Sequence, residues 1–269
     1  MISVLLAAVV SYLLVCVLMY ATQRSQIYLP PREVDRPGAT VVRLAVDGAT
    51  LKIWVVPRSG PRALIYFGGN AEEVSWNLAG LAAAFPGHTL YLVNYRGYGG
   101  STGRPTEAAL LADALAVHDY VRARQPRVAV MGRSLGSGVA VFLASERPVE
   151  RLVLVTPFDS FVNVARAHYW FLPVGLLLRD RYEAVRRAGA VEAPVLAIIA
   201  EKDELVPRAC SEALVAAFAP GQARAVVIRG AAHNSLDLSP EYLASAADFL
   251  EGTQTDAVAG GSATGAAAP

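Results

Sequence analysis

Six short apolar runs recur along the chain with helix-like stretches between them, and this alternation limits the fold more than any other feature. The runs are Ala63–Phe67, Thr89–Asn94, Val128–Met131, Leu152–Thr156, Val195–Ala200 and Ala225–Ile228. Strands that are apolar throughout must be covered on both faces, and intervening helices supply that cover. The expected helices are about Glu72–Phe85, Thr106–Arg124, Gly138–Glu146, Pro207–Phe218 and Pro240–Leu250. Upstream, Val41–Val46 and Thr50–Pro57 alternate in strand fashion around Asp47-Gly48, a dipeptide suited to a tight hairpin turn. The expectation is an α/β fold with a mostly parallel eight-stranded sheet, opened by an antiparallel pair and flanked by helices on both faces.

Such sheets carry their chemistry at the carboxyl ends of their strands. There stand Gly68-Gly69-Asn70, Asn94-Tyr95-Arg96-Gly97, Gly132 to Gly136, Asp159, Glu201-Lys202-Asp203 and, after the last strand, His233. Gly132-Arg133-Ser134-Leu135-Gly136 has the form G-x-S-x-G between an apolar run and a helix-like stretch. A serine in so tight a turn adopts a strained backbone, and neighbours bearing a Cβ would collide with adjacent chain. The turn also aims the positive end of the next helix at the Ser134 hydroxyl. It can present a nucleophile, or it can be a glycine-rich turn with a solvated serine.

About 225 residues between Tyr28 and Gly252 suit one α/β domain. Net charge is +1, from 24 basic and 23 acidic residues without blocks of like charge, which argues against nucleic acid as a partner. The two cysteines, Cys16 and Cys210, are too few for a disulfide framework, and the four histidines form no metal-ligand motif, so neither a metal nor another cofactor is expected.

Ile2–Ala21 is almost wholly apolar and, as a helix of about 30 Å, matches the hydrocarbon core of a bilayer. A membrane anchor over residues 1–22 is therefore expected. A cleaved signal peptide would want a basic start and an A-x-A-like site, and a lipoprotein signal ending at Cys16 would want a small residue where Val15 stands. Arg24, Arg32 and Arg36 follow the anchor, which by charge bias sets the remaining chain, 23–251, on the cytoplasmic side. Phe161–Arg187 is long for a crossover and has the apolar centre Tyr169–Leu178. A short cap over the site, at about 160–190, is expected, the alternative being an ordinary amphipathic crossover helix. The stretch 252–269, rich in Gly, Ala, Ser and Thr, is expected to be a disordered tail.

In chain order Ser134, Asp203 and His233 follow the sequence nucleophile, acid, base. On these residues the chain resembles the α/β-hydrolase superfamily, and within it the small, N-terminally membrane-anchored serine hydrolases with Y-R-G-Y-G-x-S-x-G-x-P, a depalmitoylase-like group. The matching segments are Phe67–Ala71, Tyr95–Pro105, Gly132–Gly138, Glu201–Pro207 and Gly230–Asn234. The resemblance implies Ser134 as nucleophile, His233 as general base and then acid, Asp203 as the carboxylate orienting His233, and the backbone N–H groups of Asn70 and Leu135 as the oxyanion hole. Gly68-Gly69 departs from the histidine-glycine of many relatives, which implies a lost loop-bracing contact. Asp159 is a rival for the acid, and Asp203 could instead cap the helix beginning near Pro207. His88, His118 and His168 are expected to be structural, Tyr95 and Arg96 to brace the site loops, and Ser101 to be a turn residue. The implied activity is hydrolysis of lipid-like acyl esters or thioesters at a membrane. A carboxylesterase or peptidase acting on soluble substrates is the alternative, and a non-catalytic membrane-anchored scaffold a further one. A scaffold would have no need of all three residues and both elbow glycines.

Overall fold

The chain begins with α1, Ile2–Ile27, a helix of 26 residues, about 39 Å long at 1.5 Å per residue. Only Cys16 and Gln23 in it are buried. Among the described residues it is the one helix long and apolar enough to cross a membrane, a test that an N-terminal signal sequence also meets. The computed structural model describes residues 1–252, so the expected tail, from 253 on, lies outside the described residues.

Eight strands follow: β1 (Thr40–Val46), β2 (Ala49–Val56), β3 (Arg62–Phe67), β4 (Thr89–Val93), β5 (Arg127–Arg133), β6 (Leu152–Val155), β7 (Val195–Ala200) and β8 (Ala223–Ile228). They form one sheet in the order β1-β2-β4-β3-β5-β6-β7-β8. The β1–β2 and β2–β4 pairs are antiparallel. The other pairs are parallel.

Seven more helices complete the described residues: α2 (Leu78–Ala84), α3 (Glu107–Arg122), α4 (Leu135–Glu146), α5 (Phe161–His168), α6 (Val174–Leu177), α7 (Arg208–Ala216) and α8 (Pro240–Glu251). Because side chains alternate along a strand, β3 sends Ala63, Ile65 and Phe67 into one core and Leu64 and Tyr66 into the other. The first core packs against α3, α4 and α7 through Val117, Val139 and Leu214. The second packs against α2 and α8 through Leu81, Tyr242 and Phe249. Each such fully buried side chain contributes about 1.5–3 kcal/mol, which makes the sheet a firm platform for the loops at its carboxyl edge.

Two elements differ from the sequence pattern. The expected helix Glu72–Phe85 is a 3₁₀ turn, Val74–Asn77, leading into the short α2. Glu72 is outside it because its carboxylate is engaged by the preceding loop. Helix α4 begins at Leu135 rather than Gly138. Glycines are poor helix formers, but Gly136 and Gly138 are in the first turn for clearance, which propensity does not register. The segment after β6 forms α5 and α6, and α6 packs against α1 and α5.

Candidate active site

β5 runs directly into α4, and Ser134 stands at the junction with φ 49° and ψ −116°. A residue with a Cβ is strained there by roughly 1–3 kcal/mol. The turn is held by the Ser134 N–H donating to Val155 O at 2.8 Å and by the Ser134 carbonyl accepting from Ser137 N–H (2.8 Å) and Oγ–H (2.7 Å). A Cβ on Gly136 would overlap the backbone carbonyls of Phe67 and Gly68, and one on Gly132 the carbonyl of Gly136. The glycine spacing is thus required by backbone against backbone.

His233 lies in the loop after β8 and is 4% exposed. Its Nε2 is 3.1 Å from Ser134 Oγ, and its Nδ1 is 2.8 and 2.9 Å from the two carboxylate oxygens of Asp203. Since a carboxylate accepts, Nδ1 carries the proton and Nε2 offers its lone pair to the serine hydroxyl. Asp203, just after β7, also accepts the N–H groups of Leu205 (3.0 Å) and Val206 (2.7 Å), which fix its plane. It therefore both organises the start of the α7 segment and faces His233. Asp159 does not reach this group: it accepts from Ser160 N–H at 2.8 Å and from the Asn163 side-chain amide at the start of α5. Beside it, the Cys210 thiol is pushed up to about 12 by burial and, less, by Asp159, so it stays protonated.

The loop after β3 lies over the serine; a Cβ on Gly69 would sit 3.6 Å from Ser134 Cβ. Part of its bracing comes from Glu72, which the motif did not mark. Glu72 accepts from Gly69 N–H (2.6 Å), Tyr66 Oη–H (2.7 Å) and Asn77 Nδ2–H (2.6 Å). Tyr95 Oη–H donates to Gly68 O at 2.8 Å, as expected of a brace. The Asn70 side-chain oxygen accepts from Leu29 N–H (3.0 Å) and Tyr98 Oη–H (2.8 Å), joining the loop to the stretch after α1. Among the described residues the N–H groups of Asn70 and Leu135 have no acceptor.

Arg133, the variable position before the serine, is another residue whose position the sequence did not explain. Its buried guanidinium donates to Asp237 at 2.7 Å and to His233 O at 3.1 Å, tying the histidine loop to the elbow. Burial works against its charge, but Tyr66, Glu72 and Asp237 outweigh that and raise its pKa above the usual value. A buried cation needs acceptors from other segments, and the motif does not specify them.

Ser134 and His233 open onto a cleft of about 500 Å³, lined also by Leu29, Asn70, Glu72, Glu73, Trp76, Asn77, Arg133, Leu205, Asn234 and Asp237. None of residues 160–190 lines it, but His168 Nε2, at the end of α5, is 2.8 Å from the carbonyl oxygen of Leu205 in its wall. Arg96 is outside the cleft and braces the loop after β4. It pairs with Asp113 of α3 at 2.7 and 2.5 Å and donates to Asp47 O at 3.2 Å, bracing the β1–β2 turn. Ser101 is a turn residue, donating to Asn94 O at 2.9 Å and accepting from Lys52 N–H at 2.8 Å. His118 lies 3.2 Å from Pro148 O, and His88 is buried at the start of β4.

A family model described as the Alpha/beta hydrolase family matches residues 60–192. An uncharacterized protein of Mycobacterium tuberculosis, Rv2307c, is 40% identical over 241 residues, covering 83% of this chain and 85% of its own length. Protein ABHD12B of Homo sapiens is 32% identical over 224 residues, 72% of this chain and 61% of that one. The Pyrococcus furiosus esterase Pf2001 superposes with a TM-score of 0.67 at 19% identity, covering 82% of this chain and 98% of that one. The enol-lactonase of Burkholderia xenovorans LB400 superposes with a TM-score of 0.60 at 16% identity, covering 78% of this chain and all of that one. The sheet order, the strained serine between β5 and α4 and these matches agree: the chain belongs to the alpha/beta hydrolase family.

Proposed function

We propose that this chain is a membrane-anchored serine hydrolase that cleaves carboxylic esters or thioesters of lipid-like acyl groups through Ser134, His233 and Asp203. The observation that carries the reading is the continuous line from Ser134 Oγ to His233 Nε2 (3.1 Å) and from His233 Nδ1 to Asp203 (2.8 Å). Two of the solved neighbours are described as an esterase and an enol-lactonase, both enzymes of ester bonds. His233 takes the Ser134 proton as Oγ attacks the acyl carbonyl, and the oxyanion rests on the N–H groups of Asn70 and Leu135. The protonated His233, steadied by Asp203, then gives its proton to the leaving alcohol or thiol. A water activated by the same histidine releases the acid.

The lipid-like substrate is supported by α1, read as an anchor over residues 1–22, with residues 23–251 as the hydrolase domain on the cytoplasmic side. A second reading, an esterase or peptidase for soluble substrates, draws on the cleft wall, where Glu72, Glu73, Asn77, Arg133 and Asp237 are polar or charged. Hydrolysis of esters and thioesters of increasing chain length separates the two: a rising profile fits the first and a falling one the second. For the site, fluorophosphonate labels wild type and not Ser134→Ala, and turnover falls on the order of a million-fold in Ser134→Ala and roughly ten-thousand-fold in Asp203→Asn. Asp159→Asn stays within a few-fold, as its contacts are to α5. Absence of labelling in folded wild type would favour a non-catalytic scaffold.

A further inference from the structure

The segment joining α5 to α6 ends in an apolar tip. Trp170 is 83% exposed, Leu176 86%, Phe171 49% and Tyr169 45%. A water-soluble surface rarely gathers such residues without a partner. The partner is identified by where the tip lies. Phe171 O accepts a hydrogen bond from Tyr12 Oη at 3.0 Å. Tyr12 precedes Thr22 by ten residues, about 15 Å along the helix. Whatever surrounds α1 at the level of Tyr12 therefore surrounds the tip.

We propose that the Tyr169–Leu176 tip enters the acyl region of the bilayer that α1 crosses, so that the domain is docked on the lipid at two points. The proposal rests on the reading of α1 as an anchor. Backbone entering lipid must have its polar groups paired. Here most of that pairing is in place: Tyr169 N–H donates to Ala165 O (2.7 Å), Leu172 N–H to Tyr169 O (3.0 Å) and Leu178 N–H to Val174 O (2.9 Å), and Tyr12 serves the Phe171 carbonyl and in turn satisfies its own hydroxyl, while among the described residues the N–H groups of Trp170 and Phe171 have no acceptor. Arginines flank the tip: Arg181 donates to Gly175 O at 2.9 Å, the Arg166 guanidinium lies against Gly175, and the Arg179 guanidinium is 5.6 Å from the Tyr20 ring centre. Aromatic residues beside long cationic side chains suit a segment that enters lipid from an anionic headgroup layer, since such side chains reach back to the headgroups. The depth of the tip against α1 is fixed by Gln23, whose amide donates to Leu177 O (3.0 Å) and accepts from Arg179 N–H (2.7 Å).

The test uses the full chain in vesicles of phosphatidylcholine and phosphatidylglycerol, with and without phosphatidylcholine brominated in its acyl chains, which quenches tryptophan on contact. Of the three tryptophans, Trp54 is buried in the core and Trp76 lines the cleft. Wild type is expected to lose a distinct part of its emission to the brominated lipid. That loss disappears in Trp170→Phe, which keeps an apolar ring, and persists in Trp76→Phe. Flotation with vesicles after an alkaline wash reports α1 independently. A chain that floats while Trp170 escapes quenching overturns the proposal and leaves the anchor standing; if cross-linking then joins two tips, a second copy is the occupant. A chain that washes off the vesicles overturns the anchor and the proposal with it.

Discussion

Glu72 is surrounded by three donors from three different places, and this makes it the residue on which the geometry of the loop after β3 depends. Its carboxylate takes Gly69 N–H at 2.6 Å and, on the other oxygen, Tyr66 Oη–H at 2.7 Å. With Gly69 N–H held, the next amide along, that of Asn70, is left for the proposed oxyanion. Removing the carboxylate strands a buried backbone donor at a cost of about 1–3 kcal/mol, which converts to roughly 5- to 150-fold in rate where the loop serves the transition state. Glu72→Ala is expected to lower kcat by about that factor with KM little changed, in steady-state kinetics on a short soluble ester; an equal rise in KM would mean that Glu72 touches substrate instead. Ser134 was legible in the sequence because flanking glycines are a steric requirement of its turn. Glu72 was not, since a carboxylate three residues after a glycine has no signature until the loop closes on it. His233 and Asp203 were legible only as a chain order, and Asp159 was excluded by its hydrogen bonds to Ser160 and Asn163.

At the level of elements, the joint between α1 and the α5–α6 segment is the part of the fold that pattern did not give. The apolar run Tyr169–Leu178 says that something must be covered, but not what. Side chains near the end of α1 hold the segment that follows it. Arg24 makes a two-pronged contact with Asp180 at 2.8 and 3.1 Å, and Tyr28 Oη lies 2.9 Å from Tyr182 Oη. Asp180 is 3% exposed, whereas the Arg24 side chain is 38% exposed, so the pair is screened on one side and contributes about 1 kcal/mol. Arg24→Gln is expected to open the segment about fivefold more often, read as faster tryptic cleavage after Arg179 and Arg181 in the vesicle-bound chain. Unchanged cleavage would mean that Gln23 and Tyr28 hold the joint without it.

For the whole molecule, the strands fix which groups belong to chemistry and which to stability. The apolar runs announced the strands, but their order in the sheet depends on crossovers that no local pattern encodes, so only the assembled sheet brings β3, β5, β7 and β8 loops to one edge. His88 lies at the opposite edge, before β4, whose five residues span about 17 Å. It is 1% exposed and its Nδ1 has no hydrogen-bond partner. Burial, and then the charge of Arg62, lower its pKa below 6.5, with Glu251 at 3.8 Å opposing them. In the unfolded chain His88 takes up its proton near 6.5, while in the folded chain it resists until a lower pH. In that window the unfolded state binds more protons, so the stability His88 contributes is complete above 6.5 and is lost as pH falls through the folded value. His88→Gln cannot titrate, and its Tm should fall less steeply than that of wild type between about pH 7 and about pH 5. The pH profile of kcat should stay that of wild type, because the proposed base, His233, is on the other edge of the sheet. A parallel shift of both profiles would mean that the two edges are coupled through β4, and that stability and chemistry are not divided between the ends of the strands.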